Sequence, residues 1–70
     1  MDKIGKRAAE AILNRVRNHH SMEKELDRLQ LTRQGFHQYE TGKHIPSGKV
    51  LQRMALAGYD VHWILTGERK

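Results

Sequence analysis

The sequence predicts an all-α fold, a compact bundle of about five short helices forming one domain over 1–70. Apolar residues recur at helical spacing in short blocks, separated by residues that start and stop helices. Strand signals are nearly absent: apolar–polar alternation is rare, β-branched residues are few, and the only proline, Pro46, falls in a loop. Seventy residues suffice for a single small domain, and no repeat, low-complexity tract or linker divides them.

The first block runs from about Lys3 to Asn18. Ile4, Ala8, Ile12 and Val16 repeat every four residues, Ala11 and Leu13 widen the stripe, and Lys6, Arg7, Glu10, Asn14 and Arg17 take the wet side. Asn18, His19 and His20 form a polar exit. Ser21 caps the second block, whose Glu23, Glu25 and Asp27 suit the positive end of the helix dipole. Met22, Leu26 and Leu29 face inward, and the helix ends near Leu29 or Gln30. Thr32 caps the third block, which runs to about Thr41 with Phe36 and Tyr39 inward; Gly42 stands where a left-handed residue is wanted. The loop 43–47 ends in proline and serine, both usual at helix starts. The fourth block spans about Gly48 to Ala57, with Val50, Leu51, Met54 and Ala55 apolar and Gly58 as its stop. Asp60 caps the last block, Val61 to Thr66, and Gly67 closes it before a polar tail.

A core of this size rarely leaves more than roughly 3–5 kcal/mol of net stability. There is no cysteine, which excludes disulfides and Cys-based zinc, so helix packing and a partner subunit are expected to supply the rest. No apolar run approaches the ~20 residues of a bilayer span, and the charged start 1–7 has no apolar segment after it, as a secretory signal requires. The expected location is therefore the cytoplasm, away from membranes. Thirteen basic against eight acidic residues give a net charge of +5 and a pI near 10.0. That balance fits a polyanion partner, although many small soluble proteins share it.

The segment from Leu29 to Gly42 is the most informative. Its apolar residues 29, 31, 36 and 39 flank a short turn and then one face of a helix, leaving Arg33, Gln34, His37 and Gln38 outside. This is the pattern of a helix-turn-helix, over about 21–42, and it points to double-stranded DNA. Arg33 can pair bidentately with guanine O6 and N7, and Gln34 or Gln38 with adenine N6 and N7; His37 is a further candidate. Phosphate contacts are expected from Ser21, Met22, Thr32, Thr41, Lys43 and His44, with Lys3, Lys6, Arg7 and Lys49 weaker candidates. Gly35, inside a helix where glycine costs about 1 kcal/mol, is expected to permit close approach to DNA or to the second helix.

At these residues the chain resembles the lambda-repressor-like helix-turn-helix domains, and is most similar to the N-terminal domains of phage CI-type repressors. Leu29, Leu31, Thr32, Phe36, Tyr39, Glu40 and Gly42 carry the resemblance, followed by Pro46, Leu51, Ala55, Gly58 and the ending Val61–Gly67. It covers about 21–67 and implies a domain of about five helices that reads DNA with the third, mainly through 33, 34 and 38. Two positions depart from the family pattern: Leu26 stands where a small residue is usual, and Gln30 where the turn usually has glycine. Either the two helices cross more widely, or the turn is one residue shorter.

The histidines do not form a metal site by spacing: His19 and His20 are adjacent and so diverge on a helix, and His37, His44 and His62 fall in separate elements. Ser21 and Ser47 read as caps rather than nucleophiles, so neither an enzyme nor a cofactor is expected. Trp63 either fills the core or joins Val61, Ile64 and Leu65 in an apolar patch that pairs two subunits over about 60–67. The leading functional expectation is a transcriptional regulator, a phage or prophage repressor acting as a homodimer in a bacterial cell or phage-infected host. The alternatives are a controller or antitoxin of a restriction-modification or toxin-antitoxin system, and a protein-interaction module, bound by a regulatory protein partner and without DNA specificity.

Overall fold

The structure, a computed structural model, describes residues 3–19 and 21–69; His20 of the expected polar exit, the first two residues and Lys70 lie outside them. Among the described residues the chain forms five α-helices and no strand: α1 (Ile4–His19), α2 (Met22–Leu29), α3 (Arg33–Glu40), α4 (Gly48–Leu56) and α5 (Val61–Thr66). Four of the helices start on a side-chain cap that accepts from the amide three residues on. Ser21 Oγ takes Lys24 N–H at 3.2 Å, Thr32 Oγ1 takes Gly35 N–H at 2.9 Å, Ser47 Oγ takes Val50 N–H at 3.3 Å, and Asp60 Oδ1 takes Trp63 N–H at 3.0 Å. Each cap satisfies an amide that the helix itself leaves without an acceptor. No helix among the described residues is long and apolar enough to cross a membrane.

The longest helix, α1, organises the bundle by packing along α3 and α5 and, less extensively, α2; α4 joins α2 to α5. Its Ala8, Ala9 and Ile12 meet Leu26, Leu29, Phe36, Tyr39, Val50, Met54, Tyr59 and Ile64 in one core. Ile4, Ala11, Leu13 and Val16 flank that core rather than fill it. Small residues on α1 let the neighbouring backbone come close. Gly5 is buried against the loop after α3, and a β-carbon there would collide with the His44 carbonyl oxygen and lie 3.3 Å from that of Tyr39.

The departure at Gln30 has a physical resolution. Gln30 takes the left-handed conformation itself (φ 57°), donating to Asp27 O at 3.0 Å while Leu31 N–H reaches Leu26 O at 2.8 Å. This is the paired-bond helix ending in which the residues three before and two after the end commonly touch through apolar side chains. Those residues are Leu26 and Leu31, and both belong to the core assembly. The turn is therefore not shortened, and Leu26 has room because α3 rests chiefly on α1 rather than on α2. The same bond pattern ends α4, where Gly58 (φ 93°) donates to Ala55 O and the buried Tyr59 donates to Met54 O.

Three polar side chains hold the helices together. Glu25, expected only to favour the helix dipole, is 1% exposed, accepts from Tyr59 Oη at 2.5 Å and lies 3.7 Å from Arg15. Arg15 stacks on the Tyr59 ring, 3.8 Å from its centroid, and donates to Ala57 O at 2.6 Å. Arg7, expected on the wet side, donates to Ile64 O at 2.8 Å and Leu65 O at 3.2 Å, covering carbonyls that α5 leaves open at its C-terminus.

Candidate nucleic-acid interface

The orientation of α3 is decided by two buried rings. Phe36 is 5% and Tyr39 7% exposed, and residues three and four apart share a helix face. Arg33, Gln34 and His37 consequently stand exposed on the opposite side, with Gln38 half-buried at its edge. With its side chains an α-helix is about 10–12 Å across, comparable with the ~12 Å width of the major groove. The Arg33 side chain makes no hydrogen bond or ion pair among the described residues, so its guanidinium is available to a ligand.

One feature of this face opposes an anionic partner. Glu40 lies 3.8 Å from His37 Nδ1, an ion pair only when the imidazole is protonated, and His37 is 72% exposed. The Glu40 carboxylate therefore lies near the end of this helix face.

The expected phosphate-contact residues differ in what they still have to offer. Ser21 and Thr32 accept through their hydroxyl oxygens in capping, which leaves each hydroxyl proton free to donate. Thr41 Oγ1 instead donates to Gln38 O at 3.2 Å, so its proton is already engaged. Met22 packs half-buried against the core. Lys43 and His44 are exposed just beyond α3, with their amides held by Gln38 O at 2.9 and 3.3 Å. Lys3, Lys6 and Lys49 are exposed, whereas Arg7 is committed to the end of α5.

Gly35 answers half of its expectation. A β-carbon there would come within 3.2 Å of Thr32 Oγ1 and near nothing on α2, so the glycine does not serve approach to the second helix. It relieves crowding at the cap.

On α5 the expected pairing residues separate. Ile64 is fully buried and belongs to the core, because one turn after Asp60 it points at α1. Val61 and Trp63 are half-buried and Leu65 is 43% exposed. Arg69 lies 4.9 Å from the Trp63 ring centroid and 3.5 Å from Asp60, so the tail folds over part of the indole. No three of His, Cys, Asp and Glu converge among the described residues. Comparison of the chain with protein-family models, with curated proteins and with solved structures finds no match in any of the three.

Proposed function

We propose that the protein is a sequence-specific DNA-binding transcriptional regulator, a repressor of the phage or prophage type, that inserts α3 into the major groove of operator DNA. The observation that carries this reading is the outward face of α3, where Arg33, Gln34 and His37 stand exposed, with Gln38 at its edge, opposite two buried aromatic anchors. Base edges in the major groove present donors and acceptors that these side chains match, Arg33 to guanine and the glutamines to adenine. Ser21 and Thr32 hydroxyls, with Lys43 and His44, supply phosphate contacts that fix register without reading sequence. The net charge of +5 favours encounter with the polyanion.

The repressor acts as a homodimer in the bacterial cytoplasm, pairing through Val61, Trp63 and Leu65. Equivalent recognition helices must lie about 34–36 Å apart to meet successive turns of DNA. A body measuring 29 × 26 × 21 Å allows two touching copies to reach that separation.

Anisotropy titrations on duplex DNA test the reading. Arg33→Ala and Gln38→Ala each lose about 1–3 kcal/mol and relax preference at the matching base pair, while Lys43→Ala weakens all sequences alike and reduces the salt slope by about 1. Equal affinity of the wild type for all duplexes at every salt concentration would instead mark a protein-interaction module. Sedimentation showing only monomer, both with and without DNA, would remove the dimer.

A further inference from the structure

We propose that the groove between α2 and α4, lined by Arg28, Arg53, Leu56 and Ala57, docks an acidic segment of another protein through one apolar side chain. Leu56 is 82% exposed, against 53% for Ile45 and 43% for Leu65. It sits two residues after the buried Met54 and so points away from the core stripe of its helix. A solitary exposed leucine is ordinary; its setting is what carries the inference. The four residues line an open depression of about 340 Å³. Neither Arg28 nor Arg53 makes a side-chain hydrogen bond or ion pair among the described residues, whereas Arg7 and Arg15 are both engaged with backbone carbonyls. The floor is held in place, since Ala57 O receives the Arg15 guanidinium.

Charge selects the occupant. A phosphate backbone would satisfy the arginines but leave Leu56 in water, and no residue of α3 lines the groove. A second copy paired about a two-fold axis would set this doubly basic patch against the same basic patch. A partner segment that places carboxylates on the two guanidiniums, which take them bidentately, and an apolar side chain on Leu56 satisfies both halves. This surface stands whether or not α3 reads DNA.

The test is an NMR titration of the ¹⁵N-labelled chain with a capped acidic peptide carrying a central leucine–phenylalanine pair. Saturable shifts centred on Arg28, Arg53, Leu56 and Ala57 are expected, with at least tenfold weaker binding for Leu56→Ser and for the double variant Arg28→Glu/Arg53→Glu. The peptide with serines in place of its apolar pair should lose binding to the same degree, a control that needs no change to the protein. No shifts at millimolar peptide, shifts spread over the Arg33 and Lys43 surface, or unchanged affinity in Leu56→Ser would overturn the proposal. A dimer in sedimentation that Leu56→Ser dissolves would overturn it too, by making the occupant a second copy.

Discussion

Gln30 is the only non-glycine residue among those described with a left-handed backbone, a conformation that costs an L side chain about 1–2 kcal/mol. Glycine would relieve that cost while losing some of it to the greater freedom of its unfolded chain. Gln30→Gly is therefore expected to raise stability by about 0.5–1 kcal/mol, seen as a higher urea midpoint with an unchanged slope. A lower midpoint would mean that the Gln30 side chain contributes more than its backbone loses. Gly5 gives the opposite case. Gly5→Ala drives a methyl group into the His44 carbonyl where α1 meets the end of α3, and overpacking of this kind costs about 1–3 kcal/mol. Thermal melting should show the loss; an unchanged midpoint would mean that α1 and the loop separate without penalty. Neither effect can be read from contacts made by side chains, since one residue acts through its dihedral angles and the other through having no side chain.

At the scale of elements, what was legible in the sequence is what local chemistry decides. Ser21, Thr32, Ser47 and Asp60 are caps because a short polar side chain can reach its own helix's amides, whatever surrounds it. Gly42 and Gly67 take positive φ for an equally local reason. The buried Glu25 was not legible, because its type argued for solvent although its position, between Met22 and Leu29 on the inward face, argued for the core. Arg15 sits on the same stripe as Ala8 and Ile12 and could have been found in that way. Arg7 could not, because its acceptors lie 57 and 58 residues away in sequence. The Glu25–Tyr59–Arg15 clamp has a pH signature. Burial, then the hydrogen bond to Glu25 and its negative charge, raise the Tyr59 phenol far above its usual 10.0, with Arg15 and Arg28 opposing. A folded-state pKa raised above the unfolded one gives stability that is complete below about pH 10 and is lost as pH rises towards the folded value. Tyr59→Phe should start about 1–3 kcal/mol less stable, having left Glu25 short of a donor. Its melting temperature should also fall less steeply than the wild type's above pH 10. Parallel curves would show that Tyr59 does not couple to alkaline unfolding.

At the scale of the molecule, five short helices present one polar helix face outward while burying the aromatic residues behind it. That arrangement followed from periodicity, since Phe36 and Tyr39 could enter the core only by turning 33, 34 and 37 away from it. The exposure of α5 was less legible: Ile64 and Leu65 are adjacent and equally apolar, yet only Leu65 stays exposed, because α1 covers the other. Whether the face of α3 reads base sequence is decided by selection from a pool of random duplex DNA. The expected result is an enriched site containing guanine and adenine positions, whose preference relaxes at one position in Arg33→Ala and at another in Gln38→Ala. A pool that stays random through successive rounds at low salt, or an enriched site unchanged by both substitutions, would contradict it.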